Sequence, residues 1–285
     1  VFNAYMKKIK ISFLFISLSL IAFVSCDKIE PPYKETGSQT NDSTIVRKFL
    51  LEEFTGHLCP NCPQGAAMAQ QLKVLYGDRL ILLSIHAGDF ADPGTGEFAA
   101  DYRCVTGNEL LMFFLPSSFP SGMISRYSWP SDVVIGKDSW GTRIESLKNT
   151  TAQLSLEMEN SYNTSTRKVD VVTSCNTLTE IDGTYKIAAY LSEDSIIGAQ
   201  LTQNDPDYPD NIIHNFVHRD VLRAALNSTF GDTLTNGNVN ANTQFMSNFN
   251  LVLNPSWNEN HCSVIVFVYD AASYEILQVE EKKVK

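Results

Sequence analysis

The segment from Ile45 to His86 leaves the chain little choice of fold. "IVRKFLLEEF" is rich in β-branched and aromatic residues and reads as a strand. "PQGAAMAQQLKVLYGD" places Ala66, Ala69, Leu72 and Leu75 near helical spacing and stops at Gly77, and "RLILLSIHAGDF" is a second, nearly continuous apolar run. Strand, helix, strand in so short a space is a βαβ unit, which implies a parallel sheet covered on its faces. Downstream, "DPGTGEFAADYRCVTGNELLMFFLP" reads as a loop with one or two helices, and "SSFPSGMISRY" as a short strand led by Pro120. "SDVVIGKDSWGTRIESL" closes the region with a helix signal.

The turn between the first strand and the helix carries "EEFTGHLCPNCPQG", with Cys59 and Cys62 two residues apart. A cysteine pair at the strand-to-helix turn of a βαβ unit, followed by a proline before a later strand, resembles the thioredoxin fold. The resemblance covers residues 45 to 147. It implies that Cys59 is an exposed N-terminal thiol and Cys62 its buried partner. Pro120 would then be the cis proline facing the pair, and Glu53 the buried carboxylate that accepts a proton from the second cysteine. A thiolate at a helix N-terminus is favoured by unpaired backbone N–H groups and the helix dipole. The two-residue spacing lets the second thiol release a mixed disulfide. The neighbours depart from thioredoxins: Leu58 stands where they carry tryptophan, Pro60-Asn61 separate the cysteines, and Pro63 replaces a basic residue. A permanent structural disulfide is the other reading of the pair, since exported domains often hold one. A metal site of His57, Cys59, Cys62 and His86 is a third, but no second Cys-x-x-Cys exists to complete a structural zinc centre, so neither a metal nor a cofactor is expected.

From residue 148 the period changes. "AQLSLEMEN" alternates apolar and polar residues as a half-buried strand does, and "KVDVVTSC", "TYKIAAYLS", "NFNLVLN", "SVIVFVYD" and "YEILQVE" follow, separated by turn signals. Such a series predicts an all-β antiparallel sandwich over residues 148–285. The segment 208–232 reads as a long connection holding His214 and His218, surface or structural histidines. Cys175 and Cys262 sit at strand ends and could bridge; equally, Cys104, Cys175 and Cys262 could all be small buried apolar residues.

The compartment follows from the start of the chain. Lys7, Lys8 and Lys10 precede the apolar run "ISFLFISLSLIAFV", too short to span a bilayer and of signal-peptide length. It ends at "VSC", which resembles the cleavage box of bacterial lipoproteins. Residues 1–25 are thus expected to be a signal peptide, Cys26 the lipidated residue, and residues 26–44, polar and aperiodic, a flexible tether. Cleavage would move the net charge from −10 to −13, because only three lysines leave with the peptide. That acidity argues against nucleic acid as a partner.

Together with this leader, "EEFTGHLCPNCP", "FPSGMISR", "HNFVHRDVLR" and "WNENHCSVIVFVYDAASYEILQVEE" resemble the outer-membrane protein 28 family of Gram-negative surface lipoproteins. The resemblance implies an outer-membrane lipoprotein with a thioredoxin-like domain and then a β-rich one. It also implies the adhesin or receptor role attributed to the family's naming member. The expected function is a surface binding module for a protein or host-surface ligand, held to the membrane by its N-terminal lipid. The alternative is a membrane-tethered thiol-disulfide oxidoreductase in which Cys59 attacks, Cys62 resolves, Glu53 relays the proton and Pro120 aligns the partner.

Overall fold

The computed structural model describes residues 45–128 and 132–285. The signal peptide, Cys26 and the tether lie outside the described residues. The first part of the chain runs β1 (Phe49–Thr55), α1 (Cys62–Tyr76), β2 (Leu80–His86), α2 (Val105–Phe114), β3 (Ser121–Ile124), β4 (Ile135–Gly136) and α3 (Trp140–Leu147). The remainder is strands: β5 (Leu154–Asn163), β6 (Lys168–Thr177), β7 (Thr184–Glu193), β8 (Ile196–Leu201), β9 (Ile212–His218), β10 (Val221–Ala225), β11 (Asp232–Asn236), β12 (Gln244–Val252), β13 (Cys262–Asp270) and β14 (Ile276–Lys283).

β1 and β2 pair in parallel, and β3 runs antiparallel on the other side of β1. Because strand side chains alternate, Phe49, Leu51, Leu80 and Leu82 turn to one face. There they meet Ala69 and Leu72 of α1 and Trp140, Ile144 and Leu147 of α3. Leu50, Phe54, Ile81, Leu83 and Ile85 turn to the other face, against Leu110 of α2 and Met123.

The expected boundary at residue 147/148 does not divide the structure. Residues 45–285 form one compact unit, and one mixed sheet runs β14-β13-β7-β10-β2-β1-β3-β4, with β11 also paired to β7. β10 is the joint: Val221 pairs in parallel with Ser84 of β2, whose N–H donates to the Asp220 carbonyl at 2.8 Å. The physical reason lies in β7 and β13, which are apolar on both faces. Val264, Val266 and Val268 face one core, and Ile265, Phe267 and Tyr269 face the core under β1 and β2. A strand buried on both sides needs two covering layers. The second layer is the antiparallel sheet β12-β6-β5, which contributes Leu154, Leu156, Val169, Val171 and Phe249. The expected sandwich is therefore an antiparallel sheet packed on a mixed sheet that both parts of the chain build.

Two further readings change. Segment 208–232 folds into strands β9 and β10 and ends at the first residue of β11, with β9 paired to β8 as a hairpin. Cys175 and Cys262 are free and buried in the core between the sheets, as small apolar residues. The core beneath β1 also holds a fully buried ion pair: Arg126 donates to both oxygens of Glu52 at 2.8 and 2.7 Å, and its guanidinium lies over Phe267 and Tyr269.

Candidate functional site

β1 ends at Thr55, and a tight loop carries the chain from Gly56 to α1, where the N–H of Cys59 donates to the Gly56 carbonyl and that of Cys62 to the Cys59 carbonyl. Cys62 is the first residue of α1 and Pro63 the second, where a missing N–H costs nothing. Cys59 and Cys62 form a disulfide. The Phe119–Pro120 peptide is cis. Gly65 is where helix, acid and proline meet: a Cβ there would collide with Glu53 Oε1 and with the Pro120 ring. Four residues spread over 68 positions of sequence are thus gathered at one end of the β1–α1 unit.

One expectation fails. Cys59 is not an exposed thiol: it is 1% exposed and Cys62 2%. The cover is the end of β8. The Gln200 amide donates to the carbonyls of Cys59 (2.9 Å) and Gly56 (3.3 Å), the Leu201 N–H donates to the His57 carbonyl at 2.8 Å, and Gln203 bonds Asn61. From the other side, the Leu58 N–H donates to the Phe90 carbonyl at 2.9 Å. Three of these partners, Gln200, Leu201 and Gln203, lie more than 140 positions from the loop residues they hold.

Beside this seal lies a cavity of about 440 Å³, between α1, the ends of β1 and β2, and the β8–β9 hairpin. Cys62 lines it and Cys59 does not. Its rim includes the exposed Ala67, Asn215 and Arg219; its floor is buried. Three of its lining residues each carry a buried polar atom with no hydrogen-bond partner: Glu53 Oε1, His86 Nδ1 and His218 Nε2. Burial, reinforced by Asp220, pushes the Glu53 carboxyl up to about 8, and burial together with Asp194 brings Asp220 to about 7. Burial holds His86 well below its ordinary value and His218 at about 4, so both imidazoles are neutral near pH 7. Behind them Tyr102 packs against three histidine rings, with centroids at 5.5 Å from His57, 5.2 Å from His86 and 4.6 Å from His218. Among the described residues no group of three or more His, Cys, Asp or Glu side chains is arranged to hold a metal ion.

Sequence reasoning finds Glu53, Cys62 and His86 near this place, but treats His218 as structural and overlooks Gln200, Tyr102 and Asp220. His218 and Asp220 reach the site because β10 pairs with β2, a long-range pairing with no local signature. His214, on the same strand, points outward and bonds Glu97 and Asp210 at 2.6 and 2.9 Å.

Among solved structures, HBP35 of Porphyromonas gingivalis superposes with a TM-score of 0.60 at 16% identity, over 84% of this chain and 76% of its own. A protein from Agrobacterium tumefaciens gives 0.52 at 11% identity, over 84% of this chain and 96% of its own. At such identities the likeness is one of fold. A domain of the outer membrane lipoprotein Omp28 from Porphyromonas gingivalis aligns at 19% identity over 47% of this chain and 89% of that domain, with a TM-score of 0.29. No curated protein matches the sequence. The sequence matches the family described as outer membrane protein Omp28 over residues 110–285, more than half of the chain. The chain belongs to the Omp28 family. Membership makes it an outer-membrane protein. No helix among the described residues is long and apolar enough to cross a membrane.

Proposed function

We propose that this protein is a binding module, tethered to the outer membrane by lipid on Cys26 and residues 26–44. Its first part is a thioredoxin-like scaffold, and its ligand enters the cavity beside Cys62. The observation that carries this reading is that Glu53, His86 and His218, each with a buried and unpartnered polar atom, all line one cavity. Buried polar atoms without partners are costly, roughly 1–3 kcal/mol each, and a ligand that satisfies them recovers that cost. The apolar wall supplied by Ala66, Ala69, Ile213 and Phe216 suits a small ligand, and the volume falls in the range of ordinary ligand sites. Much of the wall comes from the 208–232 segment.

The test uses benzylamine, an apolar ring with one donor group, in a thermal-shift titration of the wild type and of Ala66→Phe, which fills the cavity from α1. The expected result is a saturable rise in Tm for the wild type and for the Cys59→Ser/Cys62→Ser double variant, and none for Ala66→Phe. Equal response in wild type and Ala66→Phe refutes the reading.

A second reading, thiol-disulfide oxidoreductase, is favoured by Glu53, a carboxyl protonated near pH 7 on the cavity wall that Cys62 shares. It predicts a reduction potential between about −120 and −270 mV for the pair; a structural staple lies below roughly −300 mV.

A further inference from the structure

We propose that the cavity admits low-molecular-weight aminothiols and their disulfides, and that these exchange with Cys62, not with Cys59. The inference rests on the cavity being a ligand site and adds the chemical class it takes. Access decides which sulfur reacts. The loop around Cys59 is held shut by the Gln200 amide, the Leu201 N–H and the Gln203–Asn61 contact, and Cys59 does not line the cavity, while Cys62 lies on the wall of a cavity with a solvent-exposed rim. A protein client needs an exposed sulfur to form a mixed disulfide, and neither cysteine offers one. A molecule small enough to enter 440 Å³ needs only the cavity.

The wall chooses the class. Glu53 on β1 and Asp220 after β9 present two carboxyl groups, His86 and His218 two neutral imidazoles, and Arg219 at the rim is turned toward Asp194 at 3.5 Å. An ammonium group brings hydrogen-bond donors to the unpartnered Glu53 Oε1 and favours ionisation of that carboxyl. A carboxylate is an acceptor only and brings no donor to that oxygen.

The chemistry balances without another reagent. A thiol R–SH attacks Cys62 Sγ as thiolate; the Cys59–Cys62 bond breaks, a Cys62–S–S–R bond forms, and Cys59 leaves as a thiolate that takes up the proton lost by R–SH. A second R–SH attacks the sulfur of R, releasing R–S–S–R and leaving Cys62, which takes the second proton. Two thiols are oxidised and one protein disulfide is reduced to a dithiol; R–S–S–R reverses the sequence.

The experiment treats the full-length protein, in detergent, with cystamine and separately with oxidised glutathione, and maps the mixed disulfide by peptide mass. In Cys59→Ser, cystamine should modify Cys62 at least tenfold faster than it modifies Cys59 in Cys62→Ser. It should also outpace glutathione disulfide by at least fivefold, a preference that Glu53→Gln reduces. If either serine variant fails to fold, the reduced wild type is given limiting cystamine and acid-quenched, and the first adduct must lie on Cys62. Faster modification of Cys59, or no preference for cystamine, overturns the proposal. 1,6-Diaminohexane, the carbon isostere of cystamine, separates the two levels of the argument. If it binds saturably and Cys62 stays unmodified, the exchange fails and the ligand site stands; if it does not bind, both fall.

Discussion

Glu53 is a glutamate that the fold keeps protonated. Its carboxyl is raised by burial first and by Asp220 second, from 4.5 to about 8. Below pH 4.5 it is protonated in folded and unfolded chains alike, and its contribution to stability is whole. As pH rises from 4.5 to 8 the unfolded chain ionises while the native state cannot, so stability is lost across that window and no further above it. At about 1.4 kcal/mol per pH unit for one group, the loss amounts to at most about 5 kcal/mol. Glu53→Gln should therefore gain stability relative to wild type between pH 4.5 and pH 8, in urea unfolding at a series of pH values; a constant difference would contradict the assignment. The histidines act in the opposite sense. Burial lowers His218 from 6.5 to about 4, so its contribution is present above 6.5 and is lost as pH falls toward 4. Wild-type stability should accordingly peak at mildly acidic pH.

At the scale of elements, the β8–β9 hairpin works as a cover because one side chain, Gln200, binds three carbonyls at once. Gln200→Ala should leave the fold intact, since the hairpin keeps its ladder to β9. It should raise the rate at which iodoacetamide alkylates reduced Cys59 by tenfold or more; an unchanged rate would mean that something else seals the loop. The strand β1 makes a sharper prediction. Glu52 and Arg126 are both fully buried, and removing one partner strands the other charge. Arg126→Met should cost about 3–5 kcal/mol, and the double variant Glu52→Leu/Arg126→Met should recover much of it. The strand–helix–strand order, the strand after Pro120 and the helix ending at Leu147 were all legible from apolar period and turn residues. The hairpin's role was not, because nothing near Gln200 marks an amide whose partners lie at residues 56 and 59.

For the whole molecule, the sequence suggests two parts, and the sheet makes them one. The clue was present in "SVIVFVYD", a run apolar at every position but its ends: a strand with one solvated face alternates, and this one does not. What the pattern cannot tell is which second layer covers it, and here that layer includes α2, whose Leu110, Leu111 and Phe114 share one core with Ile265, Phe267 and Tyr269. Cutting at residue 147 would expose the side of β2 that pairs with β10 and one face of β7 and β13. Residues 45–285 should therefore melt in a single cooperative transition by calorimetry, and a fragment of residues 45–147 should show none; two separate transitions would restore the division at 147. The same pairing brings His218 and Asp220 to Glu53 and Cys62, so the cavity exists only in the joined fold. The most direct test of that cavity is a benzylamine titration of ¹⁵N-histidine-labelled protein followed by NMR. Binding inside predicts saturable shifts of His86 and His218 with His214 unmoved; shifts confined to His214 would place the amine on the surface and contradict the account.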